Sequence, residues 1–369
     1  MPKKQYGDTE WINGAKFIAI LAVMVDHTNG VLYTNSQISW ASYFSVTVFV
    51  FLSGITSFYS CERNENEPIT KEIFRRMKGI LLPYAMATLL YQIISLKFFD
   101  LKTYLNFLIN FNLSSPFYYV LFFVQLLIVS PFLYRLIILC KTMKHYRALG
   151  YLLSILTVTG ISIICIKYTF ILDVHGGGKH LFGGSYLLVF FLGMLYGSSR
   201  LMFKNIKYEI ISSIAAIISA YGWYRFISGN HTLSKLQLDV YFPFGSGFNP
   251  PGISLIVYGI LVVWASCSLF TLMKDCKIKW INKLVQWIGN MGRYSLYIFL
   301  YHLVVINHFL FRLNIENKLI KVFIYFASMI AFPIIGKIAF DYIGKWCVFV
   351  ININSKEQKD VRISSVKKI

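Results

Sequence analysis

The chain has 369 residues, of which 56% are hydrophobic, 17% aromatic and only 14% charged. A soluble domain ordinarily carries about 25% charged residues, and one soluble core of this size cannot hide so much apolar side chain, so composition excludes an ordinary soluble globule. The formal net charge of +20 would by itself suit a protein that tracks nucleic-acid phosphates, but the placement of the basic residues gives it another meaning.

A helix needs about 20 mostly apolar residues to cross the hydrocarbon core of a bilayer. On that scale the sequence predicts ten spans, at 14–32, 41–60, 79–97, 116–138, 148–171, 184–199, 209–227, 253–273, 287–311 and 320–344. The expected fold is all-α, a polytopic transmembrane helix bundle of about ten spans. The sixth is short enough to be partly re-entrant. The opening MPKKQYGDTEW leads into an apolar run without a small-residue cleavage site, so that run is expected to stay as the first span. No internal repeat or linker divides the chain: residues 1–345 read as a single transmembrane domain and 346–369 as a basic tail. The cysteines show no CxxC pair and no metal-ligand spacing, so no metal site is expected.

Orientation follows from lysine and arginine. With the amino terminus taken as cytoplasmic, the connections on that side hold 24 of them and those opposite hold 9, while Lys16, Arg293 and Lys337 fall within predicted spans. Both termini are therefore expected in the cytoplasm, with an even number of crossings. The positive charge records topology, and no nucleic-acid partner is needed to explain it.

Ionisable side chains within lipid are costly and mark function. In the first span, WINGAKFIAILAVMVDHTNG, Lys16 and His27 are eleven residues apart, which returns them to nearly one helix face with a rise of about 16 Å. Lys16 falls near the cytoplasmic surface and His27 past the midplane, where burial keeps an imidazole neutral, as a general base requires. Asp26 is its sequence neighbour but points about 100° away. A structural histidine bonded to another helix is the competing reading. Arg75, Arg76 and Lys78 precede Pro83 at the cytoplasmic mouth of the third span. They read either as positive-inside anchors or as an anion site, since guanidinium groups grip phosphates bidentately. The late segment IGNMGRYSLYIFLYHLVVIN places Arg293, Tyr297 and Tyr301 at four-residue spacing with Ser295 and a second intramembrane histidine, His302. Its tyrosines can equally be interfacial anchors.

Taken in order, these segments resemble the acyltransferase-3 family of bacterial polytopic membrane acyltransferases. Lys16 to His27 is similar to the family's first-helix lysine or arginine, ten residues, histidine. VFVFLSG, Val48 to Gly54, is similar to its second-helix signature, and Arg75, Arg76, Met77 and Lys78 followed by Pro83 resemble its R-x-x-R motif. PFYYVLFFVQLL, Pro116 to Leu127, resembles its aromatic fourth-helix segment, and Gly292, Ser295 and His302 its late G-x-x-S…H pattern. Lys78 departs from the second arginine, the fourth-helix segment lacks a tryptophan, and a basic tail stands where some relatives carry an SGNH-type hydrolase domain. The resemblance implies transfer of an acyl group, commonly acetyl, from acetyl-CoA or another acyl-CoA to a hydroxyl of a cell-surface or lipid-linked glycan at a bacterial plasma membrane. It implies donor binding by Lys16, Arg75, Arg76 and Lys78, with His27, beside Asp26, as general base or acyl carrier. Arg293, Ser295, Tyr297, Tyr301 and His302 are expected to contact substrate. The expected partners are acyl-CoA, a glycan or polysaccharide acceptor and membrane lipids. The runner-up reading is a transporter or flippase of lipid-linked saccharides. A further enzyme alternative pairs Asn307 with His302 or His308. The loops Asp173 to Gly184, with His175, Lys179 and His180, and Ser228 to Gly252 are expected to shape acceptor choice.

Overall fold

The computed structural model describes residues 9–143, 145–169, 174, 176–199, 206–229, 244, 247–276 and 278–366, with side chains described to residue 342 in the last helix. Lys3, Lys4, Asp173, His175, Lys235, most of the loop 230–246 and the side chains of the basic tail lie outside that description. The helices, in order, are α1 (Glu10–His27), α2 (Ser36–Ser42), α3 (Ser45–Arg63), α4 (Ile69–Tyr91), α5 (Leu101–Asn110), α6 (Phe117–Thr142) and α7 (Arg147–Lys167). They continue as α8 (Tyr186–Ser199), α9 (Ile206–Ser228), α10 (Ile253–Asp275), α11 (Lys279–Gly292), α12 (Ser295–Val304) and α13 (Lys318–Val366). Among the described residues there is no β-strand, only three isolated bridges.

Eight helical units are long and apolar enough to cross a membrane: α2 with α3, α4 with its extension to Leu96, α6, α7, α9, α10, α12 with its extension to Arg312, and α13. The remaining two predicted spans are α1 and α8. Helix α1 carries Glu10, Lys16, Asp26 and His27, and α8 has 14 residues, about 21 Å against a hydrocarbon core of about 30 Å. Both are largely buried along their length, while Glu10 at the start of α1 and Ser199 at the end of α8 are exposed. Protein rather than lipid thus surrounds most of each helix, the condition under which a membrane interior tolerates polar groups. The outer helices are the reverse: α7 exposes Leu149, Leu152, Leu153, Leu156, Ile161 and Ile164, an apolar face suited to lipid.

Close packing at the centre depends on small residues, as expected where helices associate by van der Waals fit. Helices α3 and α8 cross with Gly54 facing Phe190 and Gly193 facing Phe51: a Cβ at either glycine would sit 2.1 Å from the opposing carbonyl oxygen. Proline is accommodated by local repair. Pro131 inside α6 cannot donate to the Leu127 carbonyl, its helical acceptor, and the Ser130 hydroxyl donates to that oxygen instead, at 2.8 Å.

The ninth predicted span, 287–311, requires correction. The chain breaks at Arg293–Tyr294, between an amphipathic α11 and the apolar α12. Gly292 lies so close to α1 that a Cβ there would be 1.8 Å from the Asn13 carbonyl oxygen. Helix α11 therefore packs along α1 rather than extending the crossing.

Candidate active site

Two histidines that are 275 positions apart in sequence meet inside the bundle. His27, in the last turn of α1, and His302, in α12, have ring centroids 4.9 Å apart with planes tilted by 48°. His302 is fully buried. Its Nδ1 lies 2.8 Å from the Phe299 carbonyl oxygen and 3.1 Å from that of Ile298. A carbonyl oxygen only accepts, so Nδ1 carries the proton. Nε2 is left as a buried nitrogen without a hydrogen-bond partner.

His27 opens into a cavity of about 460 Å³ that it lines with Asp26, Tyr43, Tyr118, Tyr186 and Asn249, among others. Asp26 shares the cavity, but no hydrogen bond or ion pair joins it to His27 among the described residues. The cavity's far wall comes from the two loops expected to shape acceptor choice. Gly176, Phe248 and Asn249 line it, and the Gly177 N–H donates to Asn249 Oδ1 at 2.9 Å, tying the loops together. Ser185 Oγ donates to the Pro251 carbonyl at 2.7 Å. Lys179 is exposed, and His180 is held by a bridge to Thr169; neither lines the cavity.

At the other end of α1, Lys16 lines two smaller cavities. One, of about 290 Å³, includes Asn13, Thr56, Ser60 and Arg63. The other, of about 170 Å³, includes Thr56, Ile80, Tyr119, Ser295 and Phe299. No carboxylate pairs with the Lys16 ammonium among the described residues, and its position on these cavities leaves it facing open space. Phe299 lines both the inner Lys16 cavity and the His27 cavity. Its ring is 5.0 Å from Tyr119 and 6.3 Å from Phe49, and those two rings are 6.4 Å apart. Three buried aromatic side chains from three helices thus close the passage between the ends of α1.

The basic segment of α4 divides. Arg75 is exposed and lies 3.5 Å from Glu67, and Lys78 is exposed. Arg76 turns inward: it donates to Ser57 Oγ of α3 and, at 3.1 Å, to Ser130 Oγ of α6. Glu72 Oε1 lies 3.8 Å away, an ion pair too long to be a hydrogen bond. Ser57 adjoins Thr56, so Arg76 braces the wall of the Lys16 cavities from behind. The position of a structural tie was missed in the sequence, where all three cations read alike.

A match to residues 9–338 decides what this assembly is: the acyltransferase-3 family, described as an acyltransferase domain, covers essentially the whole chain. The chain belongs to the acyltransferase-3 family. No curated protein and no solved structure matches it.

In this acyltransferase the remaining late-segment residues are spread apart. Ser295 lines the inner Lys16 cavity. Tyr297 and Tyr301 share one face, as their spacing predicts, but it opens on a separate lateral cavity of about 230 Å³ with Pro83, Phe332 and Lys337. Tyr301 Oη donates to the Pro83 carbonyl at 3.3 Å, and Lys337 sits 5.2 Å over the Tyr297 ring while pairing with Asp341. Arg293 is exposed in the α11–α12 turn, away from the one face with Tyr297 that an unbroken helix would give it. Asn307 is exposed, and His308 Nε2 bonds Ser95 Oγ at 2.9 Å beyond the end of α12; His302 turns instead to His27. Among the described residues no group of three or more histidine, cysteine, aspartate or glutamate side chains gathers around one point.

Proposed function

We propose that this acyltransferase is an O-acyltransferase that moves an acyl group, acetyl in the first instance, from acyl-CoA to a hydroxyl of a cell-surface or lipid-linked glycan. The carrying observation is the His27 cavity: an imidazole beside a second imidazole, facing a space walled by tyrosines and by Asp26, Ser45, Ser115 and Asn249. Aromatic faces with interspersed hydrogen-bonding groups suit a sugar, which presents C–H faces and hydroxyls together.

In this reading the chain is a single catalytic domain with a basic tail, set in a bacterial plasma membrane with both termini in the cytoplasm. The donor enters at the Lys16 end. Lys16, with no carboxylate partner among the described residues, Arg75 and Lys78 meet the phosphates, while Arg76 holds the wall in place. The acyl arm enters the bundle past the Phe299, Tyr119 and Phe49 rings, which turn aside to admit it, and the acceptor hydroxyl occupies the cavity at His27. His27 removes the hydroxyl proton as the oxygen attacks the thioester carbonyl. The new C–O bond forms, the C–S bond breaks, and the imidazolium returns the proton to the departing thiolate, giving the ester and free thiol. The membrane partners are lipids, and no nucleic acid is involved.

The test is release of free thiol from acetyl-CoA by the purified protein in lipid nanodiscs, with oligosaccharide acceptors added. His27→Ala at preserved folding should reduce acceptor-dependent release at least about 100-fold, the lower range for a general base. A variant that transfers at the wild-type rate removes His27 from the chemistry. A wild-type protein that releases no thiol while moving a lipid-linked saccharide across the bilayer would favour transport instead.

A further inference from the structure

We infer that His302 is a positioning residue for His27: its Nε2 accepts the N–H of His27 and so fixes which His27 nitrogen presents a lone pair to the cavity. The role rests on the O-acyltransferase reading of the His27 cavity, but the hydrogen bond it predicts can be observed without any substrate.

Three observations point to it. The His302 proton is committed, because Nδ1 donates to carbonyl oxygens of its own helix at 2.8 and 3.1 Å. The neutral ring then has a single acceptor, Nε2, and that atom is buried without a partner. A buried polar atom left unmatched is costly, so a fully buried one calls for an explanation. The group beside it is His27, 4.9 Å away between ring centroids and itself free of any hydrogen bond among the described residues. A modest rotation of the His27 ring supplies the missing donor. It also settles the tautomer, since a neutral imidazole that donates from one nitrogen accepts through the other.

The usual orienting group for a working histidine is a carboxylate. Among the described residues Asp26 is the only carboxylate lining the cavity, and being adjacent in α1 it projects about 100° from His27. Here a neutral acceptor takes that place. This arrangement suits a low-dielectric site, where a second buried charge would carry a heavy desolvation cost. Phe299 enters twice, since its backbone carbonyl holds His302 while its ring closes the passage from the Lys16 cavity.

The experiment uses the full-length protein in nanodiscs with 15N-labelled histidine, the His27 signals being assigned by their loss in His27→Ala. In the wild type His27 should show one tautomer. In His302→Leu, which keeps bulk but has no acceptor, the two tautomers should mix. His302→Gln, whose side-chain oxygen can accept, should restore the single form. With acetyl-CoA and an oligosaccharide acceptor, His302→Leu should lower kcat about 10- to 100-fold, by analogy with losing the partner that orients a metal-bound histidine, with KM for acetyl-CoA unchanged. The effect should vanish in the His27→Ala background. An unchanged single His27 tautomer in folded His302→Leu would overturn the inference. A single tautomer in a wild-type protein that transfers no acyl group would uphold the contact and reject the enzymatic reading.

Discussion

Replacing Arg76 should cost stability, whereas replacing Arg75 should cost donor affinity, although both stand in one basic segment. The Arg76 side chain is 16% exposed and that of its partner Glu72 only 6%. It also donates to Ser57 and Ser130, so it ties α3, α4 and α6 together. Arg76→Ala would strand the Glu72 carboxylate in a poorly solvated site. Removing one partner of a buried ion pair costs about 3–5 kcal/mol. Arg75 is half exposed and its contact with Glu67 is a surface pair, for which about 0–1 kcal/mol is expected. Denaturant unfolding of the detergent-solubilised variants, followed by tryptophan fluorescence, measures the difference. Arg76→Met combined with Glu72→Gln should recover most of the loss, because the pair is then removed without leaving a charge behind. Arg75→Ala should unfold like the wild type but show a raised KM for acetyl-CoA, by about tenfold or more if it loses one charge-assisted phosphate contact. Equal stability of Arg76→Ala and Arg75→Ala would refute the structural role of Arg76.

Three further outcomes test other parts of the site. Lys16→Met should leave stability unchanged or raise it, since a partly buried ammonium without a carboxylate partner among the described residues is removed. In an acetyl-CoA titration it should raise KM; loss of stability with normal KM would mean that Lys16 serves the fold alone. Phe299→Ala should join the two cavities along α1 and increase thiol release from acetyl-CoA in the absence of acceptor, as water reaches the thioester. Its stability cost should be about 3–5 kcal/mol, as for other buried Phe-to-Ala changes, and Phe299→Leu provides a milder opening. Gly193→Leu should prevent α8 from seating on α3, because even a Cβ would lie 2.1 Å from the Phe51 carbonyl oxygen. Size-exclusion chromatography should show aggregated protein, and normal elution with full thermal stability would contradict the packing.

What the sequence alone determined is what depends on short range. The apolar stretches mark helices because a backbone crossing lipid must satisfy its own hydrogen bonds. Lys16 and His27 lie along one helix because eleven residues make three turns. The order of motifs was enough to suggest the family, which the match over residues 9–338 establishes. The tertiary structure decided which faces meet. A membrane helix that is apolar all round gives little periodic signal for its inward side, since lipid and protein core accept the same side chains. Nothing local therefore announces that His302 turns to His27 while His308 turns to Ser95. For the same reason the pattern Arg75, Arg76, Lys78 could not reveal that its middle member is drawn inward by Ser57 and Ser130. The break before Ser295 was hidden because α11 is amphipathic and runs straight on in sequence; its contact with α1 at Asn13 shows where it lies. Helix periodicity is written residue by residue, but contact between residues 27 and 302 depends on how several helices pack at once.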